Sequence, residues 1–168
     1  DGFGESIVED FYNIGYLKTI PDYYRLYNHK EELKELEGFG EKSINNLLDS
    51  IEASKKNSLE MLLFALGIRF VGKETAKVLA KHYKNIDALL NTTKEELLSI
   101  EDIGTKIAQS VYETITQEKF INLITDLKNL GLNMNYIEKE QNINEFFNGK
   151  TFVLTGTLSS ISRDEAKE

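Results

Sequence analysis

The sequence has 168 residues, of which 40% are hydrophobic and 29% charged, which fits one ordinary folded domain plus part of a second and excludes a disordered chain. It contains no cysteine, so disulfides and cysteine zinc sites are excluded, and its longest apolar run, residues 61–66, is too short to cross a bilayer. The net charge of −8 argues against a nucleic-acid partner, because binding phosphates usually requires a basic surface. The sequence shows no signal peptide, so we expect a cytoplasmic protein.

The first predicted element is a tight turn at Gly2-Phe3-Gly4 that leads into a helix ending at Gly15. Glycine reaches positive φ without a Cβ clash, so a Gly-apolar-Gly stretch can reverse the chain in very little space. The helix that should precede this turn is missing, so we expect the sequence to begin inside a motif. In residues 17–26, Pro21 suits a first helical turn, and the nearby tyrosines are assigned to packing rather than to stacking on bases.

A second turn of the same kind, Gly38-Phe39-Gly40, lies within residues 36–48, and a helical pattern starts immediately after it. Several N–H groups at such a helix start lack internal partners and point outward, with the positive end of the helix dipole behind them. Such a junction is an anion site made from main chain, while Phe39 is expected to fill the core. Four glutamates make the preceding helix acidic, so contact should be confined to the turn and Lys42.

The hairpin recurs four times, and this recurrence is the strongest signal in the sequence. Its second glycines are separated by 36, 32 and 32 residues, and each follows an apolar residue. These pairs are Phe3 and Gly4, Phe39 and Gly40, Val71 and Gly72, and Ile103 and Gly104. Apolar residues also recur four and seven positions from that glycine, which predicts an apolar helix face before the turn and another after it.

The third and fourth copies depart from this pattern, because Phe70 and Asp102 stand where the first glycine is expected. Phe rarely adopts a left-handed conformation, so we expect the third hairpin to be wider than the others. The Asp102 carboxylate would repel a phosphate, so the fourth hairpin, despite Thr105 and Lys106, ranks as the least certain contact. The first two hairpins rank as the better formed.

Basic residues cluster around the third hairpin. Residues 69–84 carry five Lys and Arg against one Glu, a local balance of +4. Lys73, Lys77 and Lys81 recur every four residues and therefore share a helix face. Beside a hairpin this face can contact phosphates, but a solvated lysine face explains it about as well.

The end of the sequence predicts a different organisation. Residues 117–130 have the pattern of an amphipathic helix closed by Gly131, and the polar residues 133–148 are interpreted as a linker. A short β-rich run then ends at Thr155-Gly156 and is followed by a capped helix start. About twenty residues cannot form the sheet and core of a complete domain.

The repeated unit resembles the helix-hairpin-helix motif, and the four-unit array resembles the helix-hairpin-helix domain of bacterial NAD-dependent DNA ligases. Residues 36–43, 58–72 and 100–108 carry this resemblance, and residues 149–168 are similar to the start of a BRCT domain. The resemblance implies an all-α fold with two pairs of motifs in residues 1–132, of which the first motif is incomplete. It further implies a linker over 133–148 and a short β/α piece of a truncated BRCT domain over 149–168.

The resemblance also implies a role. Ligases of this family transfer AMP from NAD to a lysine in a Lys-x-Asp-Gly motif and then seal a nick, with magnesium and a four-cysteine zinc module. This sequence contains neither that motif nor a cysteine, so we expect no cofactor here and no activity of the chain alone. Its implied role is to grip nicked duplex DNA along the minor groove without reading bases, as part of a monomeric enzyme that also contains other domains.

The candidate DNA-binding residues are the hairpins and the polar or basic residues next to them. They are Gly2, Phe3, Gly4, Gly38, Phe39, Gly40, Lys42, Arg69, Val71, Gly72, Lys73, Lys77, Gly104, Thr105 and Lys106. By resemblance, Thr155 and Gly156 map onto a phosphate-binding position of some BRCT domains, although a structural strand end is favoured. His29, His82 and the Glu101–Asp102 pair are assigned to the surface, so no catalytic or metal-binding residue is predicted.

Two other functions stay open at this point. Helix-hairpin-helix pairs also serve repair nucleases and polymerases, and the acidic total favours a structural scaffold that binds protein. Four units at nearly constant spacing, followed by a BRCT-like start, favour the ligase.

Overall fold

The computed structural model describes residues 3–138, and this part of the chain is helical. Its elements are α1 Glu5–Ile14, α2 Ile20–Arg25, a 3₁₀ turn Leu26–His29, α3 Lys30–Lys34, α4 Glu41–Ser54, α5 Leu59–Ala65, α6 Lys73–Tyr83, α7 Ile86–Leu90, α8 Lys94–Ser99, α9 Thr105–Ile115 and α10 Glu118–Asn129. The helical fold predicted from the apolar spacing is confirmed for these residues. Gly2, residues 139–148 of the predicted linker, and the BRCT-like segment 149–168 with Thr155 and Gly156 lie outside the described residues.

Two hydrophobic cores correspond to the two predicted pairs of motifs. The first core contains Phe11, Leu17, Leu26, Leu33, Ile44, Leu47, Leu48 and Ile51. The second extends from Leu59 to Met134 and includes Ala76, Leu79, Ala108 and Val111. The residues four and seven positions after the second glycine of hairpins two to four are therefore buried, as the amphipathic pattern predicts.

The three hairpins whose turns are described in full share one backbone conformation. The N–H before the second glycine donates to the carbonyl three residues earlier: Phe39 to Leu36 at 3.0 Å, Val71 to Ile68 at 2.9 Å and Ile103 to Ile100 at 3.1 Å. Between these partners, the residue at the first glycine position has positive φ. The values are 85° at Gly38, 67° at Phe70 and 66° at Asp102.

The third hairpin is therefore as tight as the others, contrary to the sequence-based expectation. Phe70 adopts the left-handed conformation even though it has a Cβ, at a cost of about 1–2 kcal/mol. Val71 is only 6% exposed, so its burial and the closing hydrogen bond favour the tight turn and offset that cost.

The second glycine of each hairpin has a different conformation from the first. Its φ is −75° at Gly4, −140° at Gly40, −84° at Gly72 and −77° at Gly104, and each residue is the extended N-cap of the following helix. Only the first position of the turn therefore needs the left-handed region. The sequence suggested that both glycines help to reverse the chain, but only the residue at the first glycine position has the left-handed conformation.

The described unit extends beyond the predicted domain boundary at residue 132 and runs to Glu138. Gly131 ends α10 with φ 88°, as predicted, but Leu132 and Met134 are buried in the second core. The main chain beyond α10 is also bonded: the Asn133 N–H donates to the Lys55 carbonyl at 2.7 Å. Residues 133–138, predicted as the start of a linker, instead join the helices together.

Few contacts connect the two pairs of motifs directly through side chains. The Arg25 guanidinium lies 3.3 Å from the Asp126 carboxylate, and the Tyr24 ring packs against both cores. In residues 3–138 no helix is long and apolar enough to cross a membrane.

Candidate nucleic-acid interface

The helices that follow the hairpins begin without a side-chain N-cap. Helices α1, α4, α6 and α9 each start directly after a glycine, and no side chain accepts a hydrogen bond from their N2 or N3 amide in the described part of the chain. Of the helices away from the hairpins, α7 and α8 have such a cap, whereas α2, α3, α5 and α10 do not. The Asn85 side chain caps α7 by accepting from the Ala88 N–H at 2.8 Å, and Thr93 caps α8 by accepting from the Glu96 N–H at 3.2 Å. First-turn amides thus stay open at the hairpins.

No contact within residues 3–138 requires glycine at these N-caps. Gly4, Gly40, Gly72 and Gly104 have backbone angles that any residue adopts, and an added Cβ would meet no atom within 4 Å. Ser, Asp or Asn would cap the helix better. Glycine at this point leaves the amides uncovered, so a group from outside the chain can approach the backbone closely.

The first two hairpins both contact one buried ring. The Phe3 and Phe39 rings lie 6.3 Å and 5.3 Å from the Phe11 ring, centroid to centroid. Phe39 is half-buried, which confirms that it fills the core. The shared contact with Phe11 brings the hairpins of the first pair together.

The second hairpin has an additional polar feature. The Gly40 N–H donates to the Ser43 hydroxyl at 3.0 Å, and that hydroxyl donates to the Gly40 carbonyl at 2.9 Å. The Gly40 amide therefore already has a partner, and the open amides are those of the first helical turn. Lys42 in this turn is exposed.

The third and fourth hairpins are also adjacent. The Ser110 hydroxyl, on α9, donates to the Arg69 carbonyl of the third hairpin at 2.7 Å. Val71 and Ile103 are both buried in the second core, so they offer only main chain to a ligand. Val71, a predicted DNA-binding residue, can therefore contact DNA only through its backbone. Thr105 and Lys106 are exposed at the start of α9.

Sequence reasoning missed a side-chain pair at the tip of the third hairpin. The Arg69 guanidinium lies over the Phe70 ring, 4.8 Å from its centroid. Phe70 is 51% exposed. The sequence indicated Arg69 as a candidate but treated Phe70 only as a departure from the glycine pattern.

The predicted basic candidates are exposed and have no acidic partner. Arg69, Lys42, Lys73, Lys77 and Lys106 all face solvent, and none belongs to an ion pair within residues 3–138. In that range the Lys and Arg residues with acidic partners are Arg25, Lys34, Lys55 and Lys128. Arg25, Lys55 and Lys128 lie away from the hairpin turns, whereas Lys34 contacts Glu41 in the first turn after the second hairpin.

Among the titratable groups with shifted pKa values, Lys34 lies beside a hairpin: its pKa is raised mainly by its hydrogen bond to Glu31 and further by Glu41. A hydrogen bond from the Tyr16 hydroxyl to Glu32 raises the pKa of Tyr16 and lowers the pKa of Glu32. His29 and His82 each face one glutamate at the surface, and no three potential metal ligands come together among the described residues. The geometry therefore offers main-chain donors and free cations for an anion, and no reactive cluster in the described range.

Comparisons with known proteins agree with this arrangement. Residues 61–124, which contain the third and fourth hairpins, match a family model described as the helix-hairpin-helix motif. The chain is 47% identical over 171 residues to a DNA ligase of Bacillus pumilus (strain SAFR-032), covering 99% of this chain and 25% of that relative. It is 46% identical over 172 residues to DNA ligases of Bacillus thuringiensis (strain Al Hakam) and Bacillus cereus (strain AH820), covering 100% of this chain and 25% of each.

The chain thus spans about a quarter of the length of the curated relatives it matches. The matched regions cover 99–100% of the chain, the range that contains the four hairpins. The resemblance inferred from those hairpins is therefore confirmed, because the whole chain is similar to a quarter-length part of Bacillus DNA ligases.

Proposed function

We propose that this chain binds duplex DNA near a nick, without reading its sequence, as part of a cytoplasmic, monomeric NAD-dependent DNA ligase that seals nicks in replication and repair. The observation that carries the proposal is the set of four N-cap glycines, which neither backbone strain nor packing among the described residues requires. A phosphate oxygen approaching the open amides would supply the reason for glycine. The similarity to DNA ligases supports a phosphate of DNA.

The hairpins hold phosphates mainly through main chain. Amides of the first helical turn donate to phosphate oxygens, and the helix dipole favours the negative charge. Lys42, Lys73 and Lys106 add positive charge within the first two residues after an N-cap glycine. Neither amides nor lysines read base identity, so binding is independent of sequence.

Binding through backbone amides also explains how a chain with a net charge of −8 can bind DNA. Formal charge does not count helix dipoles or amide donors, and these act at short range. Glu41, the acidic residue next to the second hairpin, lies 3.7 Å from the Lys34 ammonium, which reduces its repulsion of a phosphate. Binding should fall steeply with added salt.

The chemical steps of ligation are assigned to the rest of the enzyme. The chain contains no Lys-x-Asp-Gly and no cysteine, so it lacks the residues that would carry AMP or the zinc module in the related ligases. NAD, magnesium and zinc are therefore proposed for the parent protein only. The proposed contribution of this chain is DNA binding.

The test is a titration of the 168-residue chain with nicked duplex at low salt, followed by fluorescence anisotropy. Gly40→Asp and Gly72→Asp, made separately, place a carboxylate where the phosphate would sit, while Asp remains a good helix N-cap. We expect each to weaken binding about tenfold or more, without a lower melting temperature.

Asn85→Asp is the matched control. It adds the same charge at the N-cap of α7, away from the hairpins, and Asp retains the oxygen that accepts from the Ala88 N–H. We expect its affinity to stay close to that of wild type. Equal affinity of the glycine variants and wild type would contradict the proposal, as would a wild-type chain that does not bind nicked duplex at low salt.

A second candidate function is docking of a protein partner or another domain of the ligase. A groove of about 1120 Å³ runs between α1, α2 and α10, lined by Tyr12, Ile20, Phe120 and Leu123 among others. Tyr12 is 62% exposed and Ile20 43%. Retained binding of a purified ligase domain by the Gly40→Asp and Gly72→Asp variants would support docking, and loss of that binding in a Tyr12→Asp variant would locate it in the groove.

A further inference from the structure

Within residues 3–138, no packing of the Phe70 side chain into a core explains its position. It is 51% exposed and belongs to neither hydrophobic core. Its backbone has φ 67°, a conformation that favours glycine. The counterparts of Phe70 in the second and fourth hairpins are Gly38 and Asp102, residue types that adopt this conformation more readily.

The backbone on both sides of Phe70 is held by packing and hydrogen bonds. On one side, the Val71 side chain is buried and its N–H donates to the Ile68 carbonyl at 2.9 Å. On the other side, the Arg69 carbonyl accepts from the Ser110 hydroxyl at 2.7 Å. The Arg69 guanidinium lies over the ring at 4.8 Å from its centroid. The backbone on both sides of Phe70 is therefore anchored, and the ring is exposed at the surface beneath the Arg69 guanidinium.

The surroundings of the ring are suited to a polyanion. The Arg69 cation lies on it, the open first-turn amides of α6 follow Gly72, and Lys73 is exposed at the start of that helix. A ligand that fits all of these has phosphates next to flat apolar surface. Duplex DNA offers this combination in the minor groove, where phosphates border sugars and base edges.

We propose that Phe70 is a wedge that enters the minor groove and partly separates two neighbouring base pairs while the third hairpin holds the adjacent phosphate. The proposal rests on the proposed function and adds a side-chain contact to it. Apolar wedges inserted between base steps kink a duplex, and a step beside a nick opens easily because one strand is interrupted. The Arg69 guanidinium stays on the face of the Phe70 ring and adds positive charge at the edge of the groove.

The test uses the 168-residue chain and nicked duplexes that carry 2-aminopurine at successive positions on either side of the nick. Phe70→Asn removes the ring and keeps a residue that tolerates positive φ, and Phe70→Gly does the same with no side chain. Relative to wild type, we expect both to bind about tenfold more weakly, with an unchanged slope of affinity against salt. At saturation they should lose the fluorescence increase that reports unstacking, and Phe70→Tyr should restore both properties.

Two control variants distinguish insertion of the Phe70 ring from phosphate binding by the hairpin. Tyr27 is 61% exposed and has Lys30 over its ring at 5.8 Å, but it lies in the 3₁₀ turn rather than in a hairpin. Tyr27→Ala should bind and unstack like wild type. Lys73→Ala should lower the salt slope by about one while keeping the fluorescence increase at saturation.

Each outcome decides a specific question. If wild type binds but no 2-aminopurine position brightens, or if Phe70→Asn and Phe70→Gly both bind and unstack as wild type does, the wedge is wrong and the phosphate grip stands. If wild type does not bind nicked duplex, the proposed function fails and the wedge fails with it.

Discussion

The hydroxyl of Ser110 donates a hydrogen bond to the main-chain carbonyl of Arg69 at 2.7 Å, across 41 positions of the chain. The fourth motif therefore holds the hairpin of the third motif through α9. The carbonyl belongs to the tight turn, where a fixed backbone is needed to present amides, so this bond affects the candidate interface as well as stability. The two hairpins of this pair act as one structural unit.

Ser110→Ala should separate these effects. It removes the bond between α9 and the third hairpin, and we expect the free energy of unfolding to fall by about 1 kcal/mol. Affinity for nicked duplex should fall by a few fold, because the third hairpin loses part of its support. Urea denaturation and anisotropy titration measure the two quantities.

Ser99→Ala is the control for that variant. The Ser99 hydroxyl donates to the Glu96 carbonyl at 2.7 Å, a bond within one helix. Its loss should leave DNA affinity unchanged. A Ser110→Ala chain with wild-type affinity for DNA would show that the third hairpin needs no support from α9.

The repeat in the sequence predicted the hairpins well, because the information is local. Glycine at the N-cap, an apolar residue before it and apolar residues four and seven positions away all act within one helix-turn-helix unit. The same offsets predicted which residues would be buried, such as Ile44 and Leu79. The candidate site was predictable to the extent that it consists of these turns.

What the sequence could not predict depends on contacts between distant segments. The tight turn at Phe70 is set by the burial of Val71 and by the hydrogen bond of Ser110 to Arg69, both of which depend on the folded pair. Residues 133–138 begin a longer polar stretch of the sequence, yet Met134 and the preceding Leu132 reach the second core and Tyr136 packs against it. The composition of this segment does not reveal that it packs against the helices.

The two glycines of the second hairpin should respond differently to alanine. Gly38 has φ 85°, so Gly38→Ala is strained and should lower the free energy of unfolding by about 1 kcal/mol or more. Gly40 has φ −140° and open space around its Cα, so Gly40→Ala should fold with little change in stability. Urea denaturation of both variants gives the comparison, and equal destabilisation of the two would contradict the assignment of the left-handed residue to position 38.

A buried hydroxyl pair should contribute to the stability of the second core. The Tyr83 hydroxyl donates to Thr92 Oγ1 at 2.7 Å, and Thr92 in turn donates to the Glu96 carboxylate at 2.9 Å. Both Tyr83 and Thr92 are 7% exposed. Thr92→Val keeps the shape but leaves the Tyr83 hydroxyl without an acceptor, so the free energy of unfolding should fall by about 1–3 kcal/mol.

A double-mutant cycle checks this interpretation. Adding Tyr83→Phe to Thr92→Val removes the unpaired hydroxyl, so the double variant should be more stable than the sum of the two single changes predicts. Thr92→Ser keeps the hydroxyl and should lose less than Thr92→Val. Additive effects would mean that the two hydroxyls do not interact.

The start of α2 should make stability depend on pH. Burial alone would raise the pKa of Asp22, but its hydrogen bonds from Thr19, from the main chain of Lys18 and from Arg25 outweigh burial and lower that pKa below the ordinary 3.8. A lowered folded-state pKa means that the carboxylate stabilises the protein above 3.8, and that this contribution is lost as pH falls through the folded-state value.

Asp22→Asn keeps an oxygen acceptor but cannot titrate. At neutral pH it should be less stable than wild type by about 1 kcal/mol, and the difference should shrink as pH falls below 3.8. Urea denaturation at a series of pH values measures the difference. A gap between the two proteins that stays constant down to the acid end of the series would exclude Asp22 as the titrating group.

The salt dependence of DNA binding should report how many cations reach phosphates. Lys73 is exposed at the start of α6, directly after Gly72, and has no acidic partner among residues 3–138. Each lysine that neutralises a phosphate contributes about one to the slope of log affinity against log salt, so Lys73→Ala should lower that slope by about one and weaken binding equally for different sequences. Lys84, exposed at the C-cap of α6 and therefore at the opposite end of that helix from Gly72, supplies the matched variant Lys84→Ala, whose slope should equal that of wild type. If both variants change the slope by the same amount, the lysines act through overall charge and the position of Lys73 beside the hairpin has no special role.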